Sequence, residues 1–536
     1  MASQDSEEKH SESIANALPA LKDSSDSAVS ESEWTTTRVE LWSFYVFYIG
    51  NNGLSGFNFG PSQFQNLLFL AGYDPSQPPF TLACGDGDCV LPYLGKVRNI
   101  NAIVLLTNGI SFAIQAALLL LIGAWADYGR WRPNITIFFT ILAVAVSFAW
   151  LGVDDPSQWR AGIPLYIMGL ITYQCTLTFW TAAFPGLVRD LPEVKESLTQ
   201  VKHGKDLEAH AKFISLSRNR VSNISFTIQS LGEVLILAVM VGILKGLNSD
   251  SSTEANTMAF SVLIAFSGGV WLLVALPWFF FEKRRPGLKL PPGTTIFAVG
   301  FKQAYVAFRE CLKLKQTFLY LIFYFLMGDV LNTTVTVVGT LQNSLVSYST
   351  LQLTLLLIVG IVAQAIGIYT FWLVQKRFGL STKTMLTFNA CWIIILTIWG
   401  LIGVHTDKFG FKHVWEVWAY QVFYGVLVCP WYAYSQTMIS EVSPLPQMFL
   451  FFALFSVVGK TSAFIGPFVS SAIIEDSSNN NMPFSFLFAL GAFSMIFLWF
   501  VDVPRSRIEC AEFIQAESER KVFDTNASAR ETPADV

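Results

Sequence analysis

Three charged side chains stand near the middle of long apolar runs: Glu233, Asp329 and Lys460. A charge in bilayer hydrocarbon costs at least about 2.5 kcal/mol, so it persists only where it faces protein or water, and it is then a candidate for work on a solute or ion. A carboxylate in such a place can carry a proton. Lys460 can instead neutralise Asp329 or Glu233, and the sequence leaves that pairing open. Asp329 and Glu233 are therefore candidate pathway residues, with buried packing bridges as the alternative.

A second group lies in the run Gly50-Asn51-Asn52-Gly53-Leu54-Ser55-Gly56-Phe57-Asn58-Phe59-Gly60-Pro61. Glycine at this density weakens a helix, and Pro61 ends or kinks it. An unwound stretch inside a membrane offers free backbone donors and acceptors to a solute. Asn51 and Asn52 are then candidate contacts, against an equal alternative of close packing through small residues. Further polar groups are Gln174 beside Tyr173, Asn332 just beyond Asp329, and Tyr420 with Gln421. Singly such residues bond helix to helix; together they can line a pocket for a solute with an apolar side chain and a polar head.

Other chemistries find little support. Of the five His (His10, His203, His210, His405 and His413), none is centred in an apolar run, so neither an enzyme nor a cofactor is expected. Cys84 and Cys89 flank Gly-Asp-Gly-Asp, a loop that can close into a disulfide in an oxidising compartment, with two free thiols as the alternative. The two Asp fall short of the oxygen set of a calcium loop, and no metal is expected.

These residues need a scaffold, and composition says which. The chain has 536 residues, 52% hydrophobic and only 14% charged, where soluble domains carry about 25% charged residues. Apolar runs of about 20 residues, the length a bilayer core requires, recur along it. No basic excess points to nucleic acid. We read twelve membrane-spanning helices, an all-α integral membrane fold. Spans one to six fall near 41–59, 101–124, 135–151, 163–187, 221–244 and 258–281. Spans seven to twelve fall near 318–339, 351–374, 385–404, 414–434, 449–473 and 484–503.

The layout is two six-helix halves, 39–281 and 317–504, between polar tails at 1–38 and 505–536. The connector 282–316 sets Phe301, Tyr305, Phe308 and Leu312 against Lys302, Arg309 and Lys313, the pattern of an amphipathic helix on the membrane surface. Connectors after even-numbered spans hold most of the Lys and Arg, among them Arg130, Arg132, Arg189, Lys283, Arg284 and Arg285. That bias places both termini in the cytosol.

The segment Gly123-Ala-Trp-Ala-Asp127-Tyr-Gly129-Arg130-Trp-Arg132-Pro133 resembles the signature that the major facilitator superfamily carries between spans two and three, one residue shorter between Asp and Gly. Its counterpart at 375–379 lacks the Asp. An Asp beside Arg can pair in one state and release in another, so Asp127, Gly129, Arg130 and Arg132 are assigned to gating. The stretch Tyr48–Pro61, with Ala126–Arg130, resembles the fungal autophagy-related protein 22 family over about Val39–Pro504. The resemblance implies export of amino acids such as leucine, isoleucine and tyrosine from the vacuole lumen to the cytosol, recycling products of autophagic breakdown from a vacuolar membrane. It leaves proton coupling open. The competing expectations are a plasma-membrane transporter of another small metabolite and an ion channel; no filter-like loop favours the channel.

Overall fold

In bilayer hydrocarbon every backbone N–H and C=O must find a partner within the protein, and a helix does this within one segment. The computed structural model follows that rule: among the described residues its regular structure is helical apart from one β-hairpin. It describes residues 34–75, 82–84, 89–127, 130–202, 207–285, 295, 302, 305, 308–444, 451, 454–455, 458–459 and 461–516. Among the described residues, 8 helices are long and apolar enough to cross a membrane: spans two, three, five to nine and twelve of the sequence reading. Large apolar side chains on these helices point outward, Trp499 at 82% exposure and Phe280 at 79%, which suits a lipid surrounding and not water.

The other four predicted spans are helical but irregular or more polar. Span one is Arg38–Gly50, a break, a π-helical turn at Leu54–Phe59, then Gly60–Ala71. Pro61, expected to end or kink this helix, occupies the first turn of the segment that follows the break, where its missing N–H costs nothing. Span four, Trp159–Thr181, carries Thr172, Tyr173, Gln174, Thr176 and Thr178 in its second half. Span ten runs Val414–Phe423, a π-helical turn at Tyr424–Val428, and Trp431–Val442. Of span eleven, the helix Ile465–Ser477 is described, and Lys460 lies outside the described residues. In the connector, residues 302, 305 and 308–311 are helical and the rest of the expected amphipathic helix lies outside the described residues.

Two ends of the bundle can be told apart. One carries Arg38, Asp190 and Arg285 and is called the basic end here. The other carries an antiparallel hairpin of Val90–Tyr93 and Lys96–Asn99. Beside this hairpin Cys84 and Cys89 are bonded to each other, with their Cα atoms 5.4 Å apart. Gly72 lies against both sulfurs and leaves no room for a side chain. The hairpin is thereby pinned to the end of span one.

Close backbone approaches set the helix positions. A Cβ on Gly56 would lie 2.6 Å from the carbonyl oxygen of Gly169, so spans one and four touch there. A Cβ on Gly367 would lie 2.5 Å from Val426 Cα and 2.6 Å from Gly425 O. Because those are backbone atoms, Gly367→Ala must push spans eight and ten apart, at about 1–3 kcal/mol. A lowered melting temperature in detergent is the expected reading; an unchanged one would mean that this seam opens freely.

Among the described residues the apolar core forms one cluster around span seven and three centred on the first half. At the hairpin end the halves interlock: Val346, Leu353 and Leu356 pack into the cluster that holds Leu67, Leu68 and Ile103.

Candidate functional site

The middle of span one cannot stay helical. Asn51 leaves the helix at φ −85°, ψ 49°, and Gly53 takes φ +89°, a conformation that glycine adopts at least cost. Asn52 Oδ1 accepts from the Leu54 N–H at 2.9 Å, a local turn that competes with the helix. Both polar atoms of the Asn51 side chain are buried without a partner, as is Asn52 Nδ2. A buried amide without bonds costs about 1–3 kcal/mol, so a group from outside the chain has something to gain there.

Span four meets this break. A Cβ on Gly53 would lie 3.3 Å from the Tyr173 hydroxyl, and Phe57 lies 6.1 Å from the Tyr173 ring. Tyr173 in turn is within electrostatic reach of Glu233 on span five and of Tyr432 on span ten. Tyr48, one turn before the break, also reaches Glu233. Glu233 is 6% exposed and accepts from Gln229 Nε2. Tyr432 belongs to the second half, stays 46% exposed and bonds the Tyr424 hydroxyl at 3.1 Å. Through Tyr48 and Tyr173, the break at Asn51 and Asn52 and the Glu233 carboxylate share one neighbourhood.

The other sequence candidates are placed elsewhere. Asp329 Oδ1 accepts from the Gly466 N–H at 3.0 Å and the Thr333 hydroxyl at 3.3 Å, so it bridges span seven to the start of Ile465–Ser477. Its neighbourhood to Lys460 falls outside the described residues. Asn332 is half-buried, and its carbonyl accepts from the Thr336 hydroxyl. Gln174 turns its amide to Thr178 Oγ1 at 3.3 Å. Gln421 donates to Gln342 at 2.7 Å, and Tyr420 packs edge-on to Phe411, both towards the hairpin end.

At the basic end, Arg132 pairs with Glu282 at 3.0 Å. Arg130 is exposed, while Gly129 and the Asp127 side chain lie outside the described residues. Burial pushes the Glu282 carboxyl up to about 7, against the pull of Arg132. The fold therefore favours the protonated form. Stability is fully present below the ordinary carboxylate range, falls as the pH rises towards 7, and is level above it. The span is at most about 3 kcal/mol. Melting curves from pH 5 to 8 should show that decline in the parent protein, and Glu282→Gln should flatten it. A slope unchanged by Glu282→Gln would assign it to another group.

Next to this pair sits a network that sequence reading did not single out. Arg285 donates to Glu40 at 2.6 Å, to Asp190 at 2.6 Å and to Thr36 at 3.0 Å, and all four are buried. Three sequence-distant segments, the starts of spans one and seven's connector and the end of span four, are tied by one guanidinium. At the hairpin end, bonds cross between the halves instead. Ser62 donates to Asn343 at 3.2 Å, and Asn343 to Gln65 at 2.8 Å. Gln65 donates to Asn101 at 2.8 Å and Thr340 O at 3.0 Å. Ser471 donates to Ala102 O at 2.8 Å, and Arg98 pairs with Glu475. The two halves are thus bonded to each other on the hairpin side.

A broken span and bonds between the halves at one end are parts that an alternating-access carrier uses. Residues 36–511 match the family model described as Vacuole effluxer Atg22 like. The chain belongs to this family. Its relatives include autophagy-related protein 22-1 of Phaeosphaeria nodorum, 22% identical over 81% of this chain and 81% of that one. Autophagy-related protein 22 of Pichia angusta is also 22% identical, over 79% and 80%. Among solved structures, a peptide transporter POT in complex with sulfate superposes with TM-score 0.54 at 10% identity, covering 88% of this chain and 95% of that one. A POT family transporter in complex with 5-aminolevulinic acid gives 0.53 at 10%, covering 87% and 96%. These likenesses carry the fold alone, that of the major-facilitator transporters. The Atg22-like chain is a multi-pass membrane transporter and not an enzyme.

Proposed function

We propose that this Atg22-like chain carries amino acids such as leucine, isoleucine and tyrosine out of the vacuole lumen, returning products of autophagic breakdown to the cytosol. All twelve helical segments then cross the membrane, as two six-helix halves, 39–281 and 317–504, that rock about the gap between them. The Lys and Arg bias puts the basic end and both termini in the cytosol and the disulfide hairpin in the lumen. The single observation that carries the reading is the break in span one at Asn51 and Asn52, whose buried amide atoms have no partner among the described residues, set against Tyr173 of span four. Aromatic walls suit apolar side chains, and the free amides suit their polar head.

With the hairpin end bolted, the described arrangement faces the cytosol. Asp127, Gly129, Arg130 and Arg132 form the cytosolic gate in this proposal, with Arg132 held by Glu282. Asp329, which joins span seven to the helix Ile465–Ser477, is assigned to proton exchange, and Lys460 to the same pathway.

The test is counterflow of labelled leucine in proteoliposomes of the purified chain, with and without a pH gradient. Saturable exchange is expected. Acceleration when the loaded side is acid would make transport proton-coupled, and indifference to pH would make the chain a facilitator. No exchange of leucine, isoleucine or tyrosine by folded protein would overturn the substrate assignment.

A further inference from the structure

The ends of a helix leave backbone groups without a partner inside it. Two such ends meet in the second half. Span seven begins at Lys315 after Leu314, whose side chain caps nothing. Span ten ends at Val442. Both are served by one further helix, residues 503–516, which follows span twelve. Glu509 Oε2 accepts from the Gln316 N–H at 3.0 Å, where a carboxylate also meets the positive end of the span seven dipole. Gln316 Oε1 in turn accepts from the Asp502 N–H at 2.7 Å, just before the helix. Ser506 donates to Val442 O at 3.3 Å and Cys510 at 3.6 Å, beside the hydroxyl of Thr317 on span seven.

The grip of this helix is narrow. Its inward side is Val503, Ser506, Cys510 and Phe513, and of these only Ser506 and Cys510 are buried. Lys313 of the connector lies over the Phe513 ring at 5.9 Å. A segment with so few buried apolar groups opens at low cost, well before the whole protein unfolds. What it grips is a lever. Trp431–Val442 is set off from the first part of span ten by the π-helical turn Tyr424–Val428 and by Pro430, features at which helices bend. Side bonds reach the lever from Tyr320 to Ser435 O at 2.8 Å, from Thr382 to Glu441, and between Tyr434 and Gln375 at 3.0 Å. At its end three donors converge on the Val442 carbonyl, two of them from helix 503–516.

We propose that helix 503–516 is a detachable latch on span ten. Docked, it holds Val442 against the start of span seven. Released, it leaves Trp431–Val442 to swing about the break at Tyr424–Pro430. A segment that follows the last span thereby controls a helix of the transport bundle. Glu509 is the positioning residue of the latch, acting through the Gln316 N–H and touching no solute. The device does not depend on which solute the chain carries.

The experiment measures how fast a maleimide reacts with single buried thiols in the folded, full-length chain in detergent, read by peptide mass spectrometry. Cys510 itself reports docking, in a Cys391→Ser background because Cys391 is exposed. Met438→Cys reports the lever, and Leu487→Cys, in span twelve towards the hairpin end, is the control; both positions are fully buried. Glu509→Lys removes the cap and sets a cation at the positive end of span seven. It should speed the reaction at Cys510 and at position 438 at least about tenfold, the order of losing one charge-assisted bond, and leave position 487 at the parent rate. Glu509→Gln keeps an acceptor, should give intermediate rates, and serves if Glu509→Lys fails to fold. An unchanged rate at Cys510 in the folded variants would overturn the proposal, since docking would not depend on the cap. A faster Cys510 with position 438 unchanged would reduce the helix to a cover without hold on span ten. Equal acceleration at all three positions would replace the latch by a general loosening of the second half.

Discussion

Leucine counterflow should stop completely when cysteines introduced as Ser62→Cys and Asn343→Cys are joined by a short cleavable bis-thiol reagent, and it should return when the linker is cut. The two side chains touch across the halves at 3.2 Å, and the bonds from Asn343 to Gln65 and from Gln65 to Asn101 continue the contact inward. These are neutral groups with short side chains. Each bond is worth only about 0.5–1.5 kcal/mol net, because water replaces it when the halves part. A gate of this type holds one state without locking it, whereas a covalent link removes the other state altogether. The control joins Tyr434→Cys to Gln375→Cys, whose side chains meet at 3.0 Å inside the second half. That link should leave counterflow intact. Both pairs belong in a Cys391→Ser background, since Cys391 is exposed. Exchange at the parent rate with Ser62 and Asn343 positions linked would mean that the halves do not separate at the hairpin end.

Arg285→Met should leave little folded protein. It strands the carboxylates of Glu40 and Asp190, both at 0% exposure, with no cation of comparable geometry. Removing one partner of a buried ionic group costs about 3–5 kcal/mol, a large share of an ordinary folding free energy. Arg189 still pairs with Asp190 but is mostly exposed and reaches only one oxygen. The discriminating comparison is the triple variant Glu40→Gln, Asp190→Asn, Arg285→Met. With no charge left to strand, it should recover most of the melting temperature in detergent. If Arg285→Met alone melts like the parent, the network contributes orientation and no stability. If the triple variant is as poor as the single one, the loss lies in packing at Thr36 and the chain's start, not in charge.

The polar residues of the spans show how far sequence reading carries. A carboxylate in hydrocarbon is expensive wherever it stands, so Glu233 and Asp329 could be picked out from position alone. What each does could not be. Asp329 is occupied by a backbone N–H of a segment 137 residues away, whereas Glu233 accepts from Gln229 one turn back on its own helix. Gln174 and Gln421 had the right chemistry for a pocket, and their amides bond their own helix or a neighbouring one, as single amides in spans often do.

The sequence by itself determined the class of molecule, the places of its helices and the weak point in span one. Those depend on run length, on glycine and proline, and on the cost of charge in hydrocarbon, all of which are local. It also showed the signature segment, though not that Arg132 would meet Glu282, 150 residues on. Only the tertiary structure decided which polar groups share a site, which are bonded away, and which end is shut. Those outcomes depend on how helices far apart in the chain rotate to face one another. A shift of one residue turns a helix by about 100°, enough to move a side chain from the gap into the lipid.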